Sequence, residues 1–267
     1  MKKFMALLLV AGMTLSLTAC GGSTDTAKKD QADGKDTFTV GFDQDFPPFG
    51  YVGDDGEFTG FDIEMATECA ARMGKKIVLQ PIDWDAKDME LEAGTIDCIW
   101  NGFTMNGRED QYTWTDPYMD NSQVVVVKKD SGINTLADLA GKVVEVQKES
   151  AAETALNDEE HADLTASFAQ LLSVGEYNTA FMDLESGAVD AVAIDIGVAQ
   201  FQIEGKEDQY QILDETISSE QYAVGFFLGK TALRDEVQST LSEMVEDGTF
   251  AEISNKYFGY DVCTLGK

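Results

Sequence analysis

The run Leu91-Glu92-Ala93-Gly94-Thr95-Ile96-Asp97-Cys98-Ile99-Trp100 is echoed later in the chain by Leu184-Glu185-Ser186-Gly187-Ala188-Val189-Asp190-Ala191-Val192-Ala193. Leu, Glu, Gly and Asp coincide, and two further pairs set Ile against Val. Each copy reads as a helix end, a glycine stop and a strand. Glycine stops are common, so two unrelated units could share the pattern. Taken as a repeat, it divides the chain into two lobes of similar build.

The segments around the echo fit an α/β class. Thr37–Phe42 alternates as a first strand, and Phe61–Arg72 places Ile63, Ala66 and Ala70 at helical spacing before Gly74. Lys76–Gln80 is a strand, Asp83–Leu91 a short helix, and Ile96–Trp100 a buried strand. Gln123–Val127 is a continuous β-branched run. Lys142–Val146 is a strand, and Ser150 caps a helix that starts near Ala151. Tyr177–Ser186 is helical, Ala188–Ile194 is a strand that stops at Asp195, and Tyr222–Leu228 is another strand. Thr231–Glu246 and Thr249–Tyr257 are helices broken at Gly248.

Beyond the first copy lies Asn101-Gly102-Phe103-Thr104-Met105-Asn106-Gly107-Arg108. In α/β folds ligands bind where loops leave the carboxyl ends of strands. Backbone N–H groups, a threonine hydroxyl and a guanidinium suit a carboxylate, whose two oxygens match the planar fork of arginine. The same residues also read as an Asn-Gly turn followed by a surface arginine. In the register of the echo, Gly102 corresponds to Asp195. Equivalent strand ends would then supply a cation and an anion, and a cleft between them suits a zwitterion.

The net charge of −30 excludes partners that need a basic footprint, namely nucleic acid and anionic membrane surfaces. Residues 1–20 read as a signal segment: Lys2 and Lys3, the apolar run Phe4–Leu17, then Leu17-Thr18-Ala19-Cys20. That ending resembles the lipobox of bacterial lipoproteins, in which the cysteine receives lipid; an ordinary secretory signal with a chance cysteine is the other reading. Residues 21–36 are almost devoid of apolar side chains and read as a flexible tether. Of the remaining cysteines, Cys69 and Cys98 read as small core residues, and with Cys263 the odd number leaves at least one thiol unpaired. There is no CxxC, and His161 is the only histidine, which argues against a zinc site and leaves one histidine for any Ser-His or Cys-His nucleophile.

Several further motifs follow one another in order. They are Gly41-Phe42-Asp43 with Pro47-Pro48-Phe49, then Gly60-Phe61-Asp62-Ile63, then Gly102-Phe103-Thr104 with Arg108 and Thr115-Asp116-Pro117-Tyr118. After them come Gly141-Lys142-Val143-Val144 with Gln147 and Ser150, Asp190 to Asp195, Gly248-Thr249-Phe250 and Lys256-Tyr257-Phe258-Gly259. From about Thr37 to Tyr257 the chain resembles the extracytoplasmic substrate-binding proteins of bacterial ABC transporters for polar amino acids. It departs from that pattern between Thr104 and Arg108, which is one residue shorter, and at Lys148-Glu149, where glycine usually precedes the cap.

The resemblance implies a two-lobed periplasmic-binding-protein-like fold with two crossover hinge strands, Gln123–Val127 and Tyr222–Phe227. Lobe one would span 37–121 and 226–267, and lobe two 122–225. It also implies a site. Arg108 would clamp the ligand α-carboxylate, helped by Thr104 and N–H groups of the Gly102 loop. Asp195 would accept the α-ammonium. Ser150 and Ala151 would offer N–H groups at a helix start. Phe46 and Trp84 would wall the side chain, although both also read as plain core aromatics. Asp43, Asn101 and Gln147 would line the side-chain pocket, where Asp43 alone also reads as a turn aspartate. Once Arg108 and Asp195 neutralise the backbone charges of the ligand, Asp43 remains, and a buried unpaired carboxylate is costly. That favours a polar or basic amino acid over glutamate or aspartate.

The expectation is therefore a non-enzymatic, monomeric receptor without cofactor or metal. It would be held to the outer face of the membrane by lipid at Cys20. It would bind a free amino acid and deliver it to the permease of an importer and its ATPase. A dehydratase of the same build acting on a cyclic acid, which would need a positioned acid or base, and a ligand-sensing module are the alternatives.

Overall fold

The computed structural model describes residues 35–267. The signal segment, the lipobox Cys20 and the tether up to residue 34 lie outside the described residues.

The strands form two main sheets. The first runs Lys76–Pro81, Thr37–Phe42, Cys98–Ile99, Gly225–Phe226, Thr113–Trp114. The second runs Gln170–Val174, Val143–Gln147, Ala191–Asp195, Met119–Lys128, Tyr210–Ile212, and Ser218–Tyr222 also pairs with Met119–Lys128. In each sheet the first three strands are parallel and the fourth is antiparallel to the third. The echoed segments supply the third strand of both. Each follows a helix that ends on a left-handed glycine, Gly94 at φ 72° and Gly187 at φ 81°, a conformation that costs glycine least. The repeat in the sequence is thus a repeat in topology.

Burial follows the strand period. Val124 and Val126 pack into one buried cluster, Val125 and Val127 into another, because successive side chains leave opposite faces of a sheet covered on both sides. The C-terminal helices Thr231–Glu246 and Thr249–Phe258 return to the first lobe. There Phe250 and Phe258 meet the Phe61 ring edge-on, and Arg72 donates to Asp247 at 2.6 Å.

Some elements differ from expectation. The strand predicted over Ile96–Trp100 is confined to Cys98–Ile99. The run predicted as one strand from Tyr222 to Leu228 divides: Ser218–Tyr222 belongs to the second sheet and Gly225–Phe226 to the first. The chain crosses between the sheets here and again between Trp114 and Met119. Gly225 permits the crossing because a Cβ there would lie 2.7 Å from the Phe103 ring. Phe227 and Leu228, beyond the pairing, are exposed. The helix Ile196–Ile203 and the small sheet of Asp45–Phe46, Gly50–Val52 and Phe58–Thr59 carry no periodic signal long enough to read. Cys69, Cys98 and Cys263 are buried free thiols.

Candidate functional site

The carboxyl ends of the parallel strands in the two sheets face each other, and all eleven predicted ligand-contact residues line one cavity between them, of about 20 Å³. Asp43 follows the strand Thr37–Phe42, and Asn101, Gly102, Thr104 and Arg108 follow Cys98–Ile99. Trp84 opens the turn after Lys76–Pro81, and Phe46 lies in the small sheet. From the second lobe, Gln147 and Asp195 end their strands, while Ser150 caps the helix Ala151–Asn157 by accepting from Glu153 N–H at 3.0 Å.

The Gly102 loop is held from beneath. Asp62 Oδ2 accepts from Gly102 N–H at 2.5 Å and its Oδ1 from Tyr118 OH at 2.9 Å. Burial pushes the Asp62 carboxyl up to about 7. Gly102 has φ 55°, and a Cβ on it would stand 3.0 Å from Phe46 and 3.1 Å from Tyr222. The short segment after Thr104 is pinned to the second crossing: Met105 N–H donates to Gln221 O at 2.9 Å, and Gln221 N–H donates to Asn106 Oδ1 at 2.8 Å. Arg108 then donates to Thr104 O at 3.2 Å and across the cleft to Glu149 O at 3.1 Å, with its guanidinium 5.4 Å from the Phe103 ring centre.

Opposite stands Asp195. Its Oδ1 accepts from Asn121 Nδ2 at 2.8 Å, Gln123 Nε2 at 2.7 Å and Tyr222 OH at 2.5 Å. Burial, and then the nearby Glu220, push its carboxyl up to about 7. Glu220 Oε1 accepts from the same two amides and from Thr104 Oγ1 at 2.8 Å. The Thr104 hydroxyl hydrogen is thereby committed, and its oxygen is left as an acceptor.

Asp43 is held between lobes. Its Oδ1 accepts from Asp45 N–H at 2.8 Å and its Oδ2 from Gln147 Nε2 at 2.6 Å. Burial raises it to about 6. Asn101 Oδ1 is buried without a hydrogen-bond partner, and Trp84 packs edge-on against Phe103 at 5.5 Å. Asp43 and Trp84 also border a second cavity of about 610 Å³, whose walls carry Asp45, Asp83, Asp85, Glu90 and Glu176. Three side-chain pairs bridge the cleft: Lys87 with Glu149 and Lys148 with Asp85, both at 2.7 Å, and Asn178 with Asp45 at 2.6 Å.

Asp62, Asn121, Gln123, Glu220 and Tyr222 were not among the predicted site residues. A signal existed for four of them. Asn121 and Gln123, like Glu220 and Tyr222, are polar groups two apart beside an apolar run, which places each pair on one strand face.

The family described as bacterial extracellular solute-binding proteins, family 3, matches residues 38–260. The L-cystine-binding protein TcyJ of Escherichia coli (strain K12) is 31% identical over 97% of this chain and 94% of its own length. The L-cystine-binding protein TcyA of Bacillus subtilis (strain 168) is 32% identical over 98% of this chain and 99% of its own. A solved ABC uptake transporter substrate binding protein from Streptococcus pneumoniae with bound histidine aligns with a TM-score of 0.82 and 35% identity, over 86% of this chain and 95% of that one. With matched topology, a shared cleft and a family match across both lobes, this chain belongs to the bacterial extracellular solute-binding proteins of family 3.

Proposed function

We propose that this protein is a lipid-anchored extracellular receptor that binds an amino acid between its lobes and delivers it to the permease of an ABC importer. The observation that carries the reading is the placement of Arg108 and Asp195 on opposite lobes around one cavity. Arg108 takes the α-carboxylate with N–H groups of the Gly102 loop and of Ser150 and Ala151. Asp195 takes the α-ammonium, and Thr104, left as an acceptor, assists it rather than the carboxylate.

Asp43 selects the side chain. Paired here only with neutral donors, it favours a ligand that brings a cation or an amide N–H. The acidic cavity beyond it favours the same polar or basic class. Relatives that bind cystine, and a neighbour with bound histidine, agree with a polar amino acid.

A space of about 20 Å³ holds about one water, so an amino acid enters only when the lobes part. Closure about the two crossings then buries it. The anchor rests on Leu17-Thr18-Ala19-Cys20, and Cys20→Ser should release the protein into the medium.

The test is a thermal-shift panel of the twenty amino acids. A true ligand raises the melting temperature with concentration by mass action. A shift with arginine, lysine, histidine, glutamine or cystine supports the reading. A shift with glutamate and none of these overturns the side-chain assignment, and no shift with any amino acid overturns the receptor assignment.

A further inference from the structure

Asp195 and Glu220 are both buried, and they are joined through the same two side-chain amides. Asn121 Nδ2 donates to Asp195 Oδ1 at 2.8 Å and to Glu220 Oε1 at 2.7 Å. Gln123 Nε2 donates to both at 2.7 Å. The strand register explains the arrangement. Gln123 sits opposite Asp195 on one neighbouring strand, and Asn121 sits opposite Glu220 on the other. All four side chains therefore occupy one face of three adjacent strands.

This network is unbalanced. Both hydrogens of each amide go to carboxylates, while Asn121 Oδ1 and Gln123 Oε1 are buried with no partner. Leaving buried acceptors unpaired is unfavourable, and so is holding two carboxylates together among neutral donors. Among the described residues no lysine, arginine or histidine forms an ion pair with either acid. The other titratable groups near the pair are the phenols of Tyr222, Tyr177 and Tyr118, with Asp62 behind Tyr118. Arg108 and Asp43 line the same cavity as Asp195. A cation arriving at Asp195 would relieve the imbalance.

We propose that Asp195, with Glu220 held beside it by the same two amides, receives the ligand α-ammonium by exchange, keeping a proton on the Asp195 carboxyl when no cation is present and releasing it to solvent when the ammonium arrives. The proposal rests on the amino-acid reading of the cleft. No covalent bond to the ligand forms: the O–H bond on the Asp195 carboxyl breaks, its proton goes to the buffer, and the ammonium takes its place as the compensating charge. Glu220 does not line the cavity. It is a positioning residue, acting through the amides that hold Asp195 and through the hydroxyl of Thr104. The sign follows from linkage. The liganded state binds fewer protons than the free state, so affinity rises with pH until Asp195 is fully ionised. Burial and the charge of Glu220 place that change near pH 7. Below it, one proton released corresponds to about tenfold tighter binding per pH unit.

The experiment is titration calorimetry on the full chain with L-arginine, L-histidine, L-glutamine and L-cystine, keeping the tightest binder. It is run at pH 6, 6.5 and 7 in phosphate and in Bis-Tris, buffers of different ionisation heat. The expected result is a net proton release of several tenths or more at pH 6.5. Glu220→Gln should lower that release, move the pH profile of Kd to lower pH and weaken binding about tenfold at pH 7. Its melting temperature without ligand should not fall, since a buried charge has been removed without changing shape. Buffer-independent heat in the unmodified protein, a measurement that needs no variant, overturns the proposal. Release that persists unchanged in Glu220→Gln overturns it too. Asp195→Asn separates the two levels of the inference. If it binds as well as the unmodified protein, or if none of the four amino acids binds, the ammonium reading of the cleft itself fails.

Discussion

Lys87 Nζ lies 2.7 Å from Glu149 Oε2 across the cleft, joining a lysine that is only 2% exposed to a glutamate at φ 58°. Left-handed backbone is unfavourable for a residue with a Cβ and persists only where surrounding contacts enforce it. Here Glu149 N–H donates to Glu153 Oε2 at 2.6 Å, and its carbonyl accepts from Arg108. The position thus trades backbone ease for a contact made only when the lobes are together. Removing the carboxylate should leave a buried ammonium unpaired in the closed form alone. Glu149→Gln should therefore shift the lobes toward opening and weaken ligand binding about three- to tenfold. Small-angle scattering without ligand should show a larger radius of gyration. An unchanged radius and Kd would remove the pair from any role in closure.

Arg108 and Asp43 should fail differently. Arg108→Ala removes the only cation lining the described cavity, so binding of every amino acid should fall at least a hundredfold by calorimetry. Asp43→Asn keeps the shape of the side chain and its contacts with Asp45 N–H. It should weaken cationic ligands about tenfold while glutamine changes little. Equal losses in both variants would show that the division of roles is wrong.

Stability should fall as pH rises through the weakly acidic range. Asp43, Asp62 and Asp195 titrate at about 6, 7 and 7 in the folded chain, against 3.8 for the free side chain. Between those values the folded chain holds more protons than the unfolded one, so unfolding becomes easier with rising pH. Their contribution is complete below about pH 4 and gone above about pH 7. Asp247, held near 2 by Arg72, has the opposite sign but is already ionised above pH 5. Without ligand, the melting temperature at pH 5.5 should exceed that at pH 8. A flat or rising profile over that range would contradict the burial of these groups.

Asp62 should matter more for the loop than for charge. Asp62→Ala leaves the Gly102 N–H and the Tyr118 hydroxyl without an acceptor, at a cost of roughly 2–4 kcal/mol in denaturant unfolding. Ligand binding should weaken as well, because the loop that carries Thr104 and Arg108 loses its support. Asp62→Asn can keep one acceptor and should cost less. If Asp62→Ala unfolds like the unmodified chain, the loop is held by other contacts, such as that of Asn106 with Gln221.

The element pattern was legible where one short window contains both the signal and its cause. Gly94 and Gly187 end helices because their own backbone takes the left-handed form, and Ser150 caps its helix through a bond to a residue three positions on. The strand Val143–Gln147 and the helix Thr231–Glu246 follow from side-chain period alone. The division near Tyr222 was not legible, because either sheet satisfies an apolar run and only the crossing decides which one each residue joins.

By itself, the sequence determined that two similar α/β units exist and that their strand ends carry Arg108 and Asp195. Periodicity, capping and the echo are local properties and are present in the order of residues. Only the tertiary structure decided what those strand ends face. Gln147 meets Asp43 across 104 positions of chain, and Glu220 meets Thr104 across 116. Such partners are chosen by where the chain crosses between sheets and how far the lobes close. The hydrogen bonds that result depend on ångström-scale approach of groups whose neighbours in sequence say nothing of one another.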